Sequence, residues 1–519
     1  MKLALLALLI ASPAWAQQPA DHELLATTVG AGAFTGQVDV DGDRVLASTF
    51  DGASHALVLE RALLGWTVVD ELVPSVPAWR DEPTTCVALD GDHALVGYGR
   101  SRRAAFFERG ATGWVQTQVV EAPSGTFASS FATAAGMEGD LAILGVSSNV
   151  NHRNLVFRRA GGTWVETQTL GVGRLTDVEI GGGLVVLGNG FRNGEIQGHS
   201  SAISGQVSIA PVLANGDVGT LVTLPGPPFS GLVEGRLGMS VATDGSFVSA
   251  TWSSHPGAFF GFEMTETFVV TWKESGGVWV VDSTHSYPGN TNNTDLLGYG
   301  LAWDGKQLVT GLAGFGYWSV LRESGAGSWE AVETLHGTSS LTIDHRTIDA
   351  SSRWIVAVAG GSPIGLLDNS GAYERLLIWS PPVGEDYCTA QPNSTGRTAR
   401  VFAAGSTAVA DQRLTLGFVG LPANALALPL VAGQPGFIPN LAGSQGDLCL
   451  GAPLGRLLPL AGNAGPDGIF SVALPLTSPL PGVGASVQPG DTWYFQAWYR
   501  DSNPGPTSNF TDARSVTFD

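Results

Sequence analysis

The chain is short of lysine. Only Lys2, Lys273 and Lys306 occur, so almost every cation is arginine. With 26 basic against 46 acidic residues, the formal net charge is −20. That balance argues against a nucleic-acid partner, whose phosphates require basic patches, and it suits a well-solvated extracellular surface. Cysteine is scarce too, with three residues in 519. No Cys/His spacing resembles a zinc site, and the nine histidines are scattered with no His-Glu-x-x-His among them. A Gly-x-Ser-x-Gly elbow is missing. The glycines at 181–183 lack the lysine of a phosphate loop. Beyond the N-terminus no apolar run reaches the about 20 residues that span a bilayer, and no long stretch carries helical periodicity.

The N-terminus reads "MKLALLALLIASPAWAQQ". Lys2, the apolar run Leu3 to Ile10 and the small-x-small site Ala14-Trp15-Ala16 have the layout of a secretory signal peptide over residues 1–16, cut after Ala16. The mature chain is therefore expected to be secreted, outside the cell or at its surface, without a membrane span and as a monomer. In that compartment a disulfide persists. Cys388 and Cys449 both lie in the C-terminal part and are paired. Closing a loop of that size contributes ~4 kcal/mol in the chain-entropy model. Cys86 precedes the apolar "VAL" and is read as a buried free thiol.

The 70 glycines and 29 prolines punctuate short runs rich in Val, Leu, Thr and Trp, an all-β signature. The runs repeat. One unit reads "TCVAL", "DGD", "HALVGYG", "RAAFFERG", "GWVQTQVV"; another reads "TAAGM", "EGD", "LAILGV", "NLVFRRA", "GTWVETQTL". Asp41, Asp90, Glu138, Asp244 and Asp304 mark the first turn of five units. A degenerate unit centres on Gly181, and a last one runs from Thr342 to "YERLLIWS". The spacing is roughly 42 to 64 residues, within or above the range of propeller blades. Trp66, Trp114, Trp164, Trp279 and Trp329 open the last strand of five units, each offering a large apolar face and an N–H that needs a partner. Four strands in each of seven units predict a seven-bladed β-propeller over residues 22–380. The last unit lacks its fourth strand. "HELLATTV" near the mature N-terminus resembles the ends of other units and is expected to supply it, removing an exposed edge.

"LGMSVATDGSFVSA" and "LGYGLAWDGKQLVTGLAG" resemble degenerate FG-GAP repeats of the integrin-α type, a likeness that runs from about Leu24 to Ser380. It implies an extracellular propeller of the kind often used for binding. The literal Phe-Gly is lost in most units, and Gly-Ala-Pro is replaced by "GYG", "GVS" or "GLA".

Integrin-like loops hold calcium with several acids around a glycine, because a hard cation takes six or more oxygens. Only "DVDGD" places three acids, Asp39, Asp41 and Asp43, at alternating positions. Calcium there is the one cofactor expectation. The competing expectation is a plain type I′ hairpin turn, in which glycine and Asp both accept positive φ.

Other candidates sit elsewhere in the units. First-strand acids Asp39, Asp177, Glu179 and Asp344 would lie near a propeller axis, where two carboxylates flanking a bond could hydrolyse a glycan. His55 and His152 fall between the second and third strands and are read as solvated loop residues. The loops joining those strands vary most, and variable loops on a rigid scaffold are where binding resides. They carry the cations Arg100, Arg102, Arg103 and Arg153 beside His152. Further along they carry Trp252, His255 and Phe259, then Phe315, Tyr317 and Trp318. These aromatics either stack on a sugar or protein partner or fill the space between blades.

After "SPPVGEDYC" the composition shifts to Pro, Leu and Ala. "TLGFVGLPANALALPLVAG", "GIFSVALPL" and "DTWYFQAWYRD" read as strands of a β-sandwich over residues 387–519. "YCTAQPNSTG", "GDLCLG" and "WYFQAWYRDSNPGPTSNFTDA" resemble a C-terminal module carried by many large exported bacterial proteins, which implies an appended module to which the resemblance assigns no activity. The sequence thus favours non-enzymatic binding of an extracellular protein or glycan. A glycan hydrolase using axial carboxylates and a structural surface component are the alternatives.

Overall fold

The computed structural model describes residues 16–19, 22–25, 34–50, 54–62, 65–75, 84–99, 101–124, 126, 131–146, 153–190, 204–226, 235–254, 266–288, 300–312, 317–323, 329–336, 348–351, 354–359, and 375–519 apart from 467, 477, 482, 503 and 504. Among them the chain is almost entirely β-strand, with three short 3-10 turns and no α-helix. Among the described residues no helix is long and apolar enough to cross a membrane. The chain divides into two compact units, one over 19–331 and 335–381, the other built on 382–519.

Glycine-punctuated apolar runs become antiparallel sheets in the larger unit. The first holds Phe34–Asp41, Arg44–Phe50, Ser54–Ala62 and Gly65–Leu72. The second holds Cys86–Asp90, His93–Tyr98, Arg103–Gly110 and Gly113–Glu121. In the third are Phe131–Glu138, Leu141–Val146, Asn154–Ala160 and Thr163–Leu170. Asp177–Gly181, Leu184–Asn189 and Ser204–Pro211 form a fourth, with the short outer strand Val222–Thr223. A parallel bridge from Ser204–Pro211 joins it to a fifth: Gly235–Thr243, Phe247–Ser254, Glu266–Ser275 and Val278–Pro288. The sixth contains Leu301–Trp303, Leu308–Leu312, Tyr317–Glu323 and Trp329–His336. The last contains Ile348–Ala350, Ile355–Ala359 and Arg375–Trp379, and its fourth strand is His22–Leu25, which pairs His22 with Ile378 and Leu25 with Arg375.

The first strand of each sheet touches the first strand of the next, and Ile348–Ala350 touches Phe34–Asp41, so these innermost strands close a ring. This is propeller geometry. Alternation along each strand buries both faces, so apolar clusters form between consecutive sheets. Leu46, Val58 and Leu72 of the first meet Val87, Val96 and Phe107 of the second. Phe34, Val45 and Leu59 of the first meet Val356, Leu376 and Ile378 of the last.

The recurrent tryptophan packs back onto the preceding sheet. Trp66 meets Trp354 of the last sheet edge-on at 5.2 Å, Trp164 stacks on Phe106 at 4.7 Å, and Arg44 lies over Trp114 at 5.4 Å. The expectation that each indole N–H finds a partner fails at Trp66, Trp114, Trp164 and Trp329, whose buried Nε1 atoms have no protein acceptor. Apolar area outweighs that cost, because a buried indole removes about 150–250 Å² from water.

The residue four places after the tryptophan then clasps the following sheet. Asp70 Oδ2 accepts from Trp114 N at 2.6 Å. Gln118 Oε1 accepts from Trp164 N at 3.0 Å while its Nε2 donates to Trp164 O at 2.6 Å. Gln168 treats Val218 the same way, at 2.7 and 2.9 Å. The side-chain amide thus mimics one more ladder residue along the outer strands.

In the smaller unit, Pro382–Val383, Arg400–Gly405, Leu414–Val419 and Phe470–Leu474 form one sheet. Glu385–Cys388, Ala513–Thr517, Thr492–Ser502, Leu426–Ala432 and Leu454–Arg456 run through a second. Val401, Leu416 and Phe418 of the first share a core with Val431, Phe495, Tyr499 and Val516 of the second. Cys388 and Cys449 are joined by a disulfide with Cα atoms 6.4 Å apart, and Cys86 is a buried free thiol whose pKa burial pushes up to about 12.

Removing one outer clasp isolates its contribution. Gln118→Ala is expected to lower stability by about 1–3 kcal/mol, since it leaves two backbone groups of Trp164 without partners. Val165→Ala, at an exposed position of the neighbouring strand, should stay within about 0.5 kcal/mol. Denaturant midpoints of the two variants check both.

Candidate functional site

The ladder of the first hairpin runs to Asp41 opposite Arg44, leaving Gly42 and Asp43 as a two-residue loop. Asp90 pairs with His93 and Glu138 with Leu141 in the same way. Gly42, Gly91 and Gly139 have φ of +56°, +54° and +58°, whereas Asp43, Asp92 and Asp140 are not at positive φ. The turn is therefore of the II′ pattern, with glycine at its first central position, and not the I′ turn expected from sequence. The first acid of Asp-Gly-Asp lies outside the turn as the last strand residue, and its carboxylate reaches the next sheet. Asp41 Oδ2 accepts from Gly91 N at 2.7 Å, and Asp90 Oδ2 from Gly139 N at 2.6 Å. Glu138 accepts from Gly182 N. At Gly182, with φ +59°, a Cβ would stand 2.1 Å from the Asp244 carbonyl oxygen, so the close approach itself excludes a side chain.

The chain of clasps ends there. Asp244 Oδ1 accepts from Ser246 N at 2.8 Å and Asp304 Oδ1 from Lys306 N and Gln307 N at 2.8 Å. These two acids cap their own turns.

The acids of "DVDGD" turn to different protein partners. Asp39 Oδ2 accepts from Leu89 N at 2.8 Å, Asp41 holds Gly91, and Asp43 Oδ1 accepts from Trp354 Nε1 at 2.8 Å. They do not converge on one centre. Among the described residues no three His, Cys, Asp or Glu side chains are grouped as metal ligands. Of the three acids for which calcium was the expectation, the turn carries Asp43 to Trp354 beside the last sheet, while Asp39 and Asp41 take N–H groups of the second.

The innermost strands do bring carboxyls together. Asp39 hydrogen-bonds Asp349, and burial, then the Asp349 carboxyl, push its pKa well above the usual carboxylate range. Asp349 Oδ2 accepts from Val40 N at 2.6 Å, and burial raises its pKa. Glu179 is raised well above its ordinary value by burial and by Asp349, Asp177 and Glu138. Asp177 is pushed up to about 6 by burial, although its Oδ2 accepts from Ser240 Oγ at 2.7 Å and Val241 N at 2.8 Å. The fourth sheet acts on the first and last although it adjoins neither, which places these side chains around the ring axis. Asp344, nominated from sequence, lies outside the described residues. Asp349 occupies the position equivalent to Asp39, pairing with Val356 as Asp39 pairs with Leu46, but its unit reads Ser-Ser-Arg where the first reads Asp-Gly-Asp, so no turn acid or glycine marked that register. Asp90, Glu138 and Ser240 were missed as inter-sheet partners. Recurrence of an acid one residue before a turn glycine was the available signal.

The loops between second and third strands present fewer rings than expected. Trp252 and Trp318 are buried, the first against Phe268 at 5.1 Å and the second against Trp379 at 4.9 Å. As binding residues they are corrected: both fill the interior, and neither offers a face to a ligand. Arg102 is exposed at φ +58° and donates to Thr126 O at 3.2 Å. Arg103 pairs with Glu121 at 2.8 Å, and Arg153 is exposed. Arg100, His152, His255, Phe259 and Phe315 lie outside the described residues; Tyr317 is placed only as the first residue of its strand. His55, expected in a solvated loop, belongs to the third strand, is buried, and faces Glu71 at 3.5 Å.

No protein-family model matches the chain, and no curated protein matches its sequence. Among solved structures it is similar to hydrazine synthase of Kuenenia stuttgartiensis, at 15% identity and a TM-score of 0.44, over 66% of this chain and 96% of that one. The WD40 repeats of RRP9 give 12% identity and 0.46, over 70% and 98%. Hsv2 of Kluyveromyces lactis gives 10% and 0.40, over 66% and 97%. Likenesses of this order assign no activity, ligand or partner.

The two acids of "DGD" in the second unit should separate by role. Asp90→Ala is expected to cost about 1.5–3 kcal/mol, the worth of a charge-assisted hydrogen bond to Gly139. Asp92→Ala removes a largely exposed loop carboxylate and should stay within about 0.5 kcal/mol. Equal effects in chemical denaturation would contradict the clasp.

Proposed function

We propose that the chain is an exported seven-bladed β-propeller of degenerate FG-GAP type with a C-terminal β-sandwich module. Its function is non-enzymatic binding of an extracellular protein or glycan. The observation that carries this reading is the use of the inner acids. Asp39, Asp41, Asp90 and Asp177 each accept a backbone N–H from the next sheet, so the carboxylates that could do chemistry hold the scaffold together. The cut site at Ala16 and the Cys388–Cys449 disulfide support an oxidising, extracellular setting. Binding then falls to the loops at the opposite end of the strands from the Asp-Gly turns, where Arg102 and Arg153 are exposed. The C-terminal module serves retention or sorting.

One observation favours the second reading, a glycan hydrolase. Glu179 shares the axis with the Asp39–Asp349 pair, and opposed carboxyls are what glycoside hydrolysis requires. The purified mature chain, incubated with extracellular glycans and surface proteins, distinguishes the two. Retention without turnover, weakened by the Arg102→Glu, Arg153→Glu double variant and unaffected by Asp92→Ala, is the expected result. Turnover abolished by Glu179→Gln would replace binding with hydrolysis. Excess calcium and chelator should leave the melting temperature unchanged, because a ligand that binds only the folded state would raise it.

A further inference from the structure

The smaller unit carries an open groove on the face of one sheet. Along Thr492–Ser502 the side chains alternate. Trp493 and Phe495 enter the core shared by the two sheets, and Thr492 and Tyr494 lie on the other face. There Leu448–Leu450 covers Leu430 and Ala432 and packs on Tyr494. Next to that cover the face opens into a groove of about 490 Å³ between Gly433, Ser486, Asp491, Thr492 and Tyr494, within the size range of ligand sites. Its polar atoms are fixed in place. Asp491 Oδ2 accepts from Gln488 N at 2.9 Å and from Trp493 Nε1 at 3.4 Å, while Oδ1 takes no hydrogen bond among the described residues. The Thr492 and Thr517 hydroxyls are 2.8 Å apart. One donates to the other, so one of their two hydrogens is left for a further partner. The Tyr494 ring stands perpendicular to Tyr387 at 5.3 Å. Tyr387 is itself exposed. Its Oη donates to Cys449 O at 2.8 Å, and the neighbouring Cys388–Cys449 disulfide holds the same two segments together.

We propose that this groove binds a neutral glycan. One sugar ring lies over Tyr494, one of its hydroxyls donates to Asp491 Oδ1, and another accepts the spare hydrogen of the Thr492–Thr517 pair. A sugar offers a C–H face that packs on an aromatic ring and hydroxyls that donate and accept at once. The groove supplies one partner of each kind. Asp491 is the one charged side chain in its lining, and the chain carries a net charge of −20. A carboxylated or sulfated sugar would meet repulsion there, with no cation in the lining to offset it. A protein partner needs a central desolvated pocket for a large anchor side chain. This lining is mostly glycine and small or polar residues and forms no such pocket. The acceptor, the donor and the ring are already held, so little ordering remains to be done on binding. The proposal rests on the retention role given to the C-terminal module above and names its ligand. It is separate from the propeller loops that carry Arg102 and Arg153.

Native electrophoresis of the full mature chain tests this, through gels containing hydroxyethylcellulose, galactomannan, xylan or polygalacturonate, each read against the same gel without polysaccharide. At least one of the three neutral polymers should retard the chain, and the anionic polygalacturonate should not. Gly433 is exposed, is not at positive φ, and a Cβ built there meets no protein atom within 4 Å. Gly433→Leu therefore fills the groove without a clash and should abolish retardation at an unchanged melting temperature. Thr492→Val keeps the shape, removes one hydroxyl and should weaken binding by about 2- to 10-fold, the worth of one hydrogen bond. The Arg102→Glu, Arg153→Glu double variant should be retarded like the wild type. Absence of retardation by every neutral polymer overturns the proposal, as does equal retardation by polygalacturonate. Retardation that survives Gly433→Leu also overturns it, while leaving the module's retention role standing on another surface. Loss in the arginine double variant overturns it in favour of the propeller loops.

Discussion

The carboxylate-to-amide bond between neighbouring innermost strands is the constraint on which the larger unit depends. A single antiparallel sheet of four short strands cannot bury both faces, and its inner edge strand has backbone groups with no ladder on one side. Stacking sheets edge-on around an axis solves the first problem through apolar clusters. It leaves the second, because adjacent inner strands splay too far for a regular ladder. A side chain must bridge them. Asp41 to Gly91, Asp90 to Gly139 and Glu138 to Gly182 are that bridge, and each requires an acid just before the turn and a glycine just inside the next.

Outer strands meet the same demand with different chemistry. There Asp70 accepts from Trp114 N, while the amides of Gln118 and Gln168 donate and accept at once. Inner acids and outer amides thus flank the apolar filling of the same seams. The filling supplies most of the free energy, at about 25 cal/mol per Å² buried. The polar bridges fix the angle and register at which the filling forms. The acids are therefore architectural before they are functional, and a search for chemistry along the axis begins from side chains already committed to neighbouring backbone.

Much of this was legible in the sequence. Alternating apolar runs and turn glycines gave the strands, and the missing last strand pointed to "HELL" near the N-terminus, where His22–Leu25 does pair with Arg375–Trp379. The tryptophan spacing gave the unit boundaries. The turn geometry was less legible. Asp-Gly-Asp reads equally as a turn centred on its first pair, yet the ladder extends through Asp41 and places glycine first. That shift of one residue converts an assumed turn former or metal ligand into an inter-sheet clasp. Asp349 was hidden because its unit reads Ser-Ser-Arg in place of the Asp-Gly-Asp that marks the turn of the first. Trp252 and Trp318 carried a loop signal in sequence but lie within strands whose faces are both covered. Such errors arise where a pattern fixes the element but not its register, since one step in a strand changes the face.

Hydrogen exchange at the turn glycines is the most direct measurement of the central claim. Gly91 and Gly139 are exposed at the surface of two-residue turns, where a free amide exchanges quickly. Protection comparable to the flanking ladder amides is expected, because Asp41 and Asp90 hold these N–H groups, and it should be lost at Gly139 in Asp90→Ala. Fast exchange at both glycines in the wild-type protein, with their hairpins otherwise protected, would contradict it.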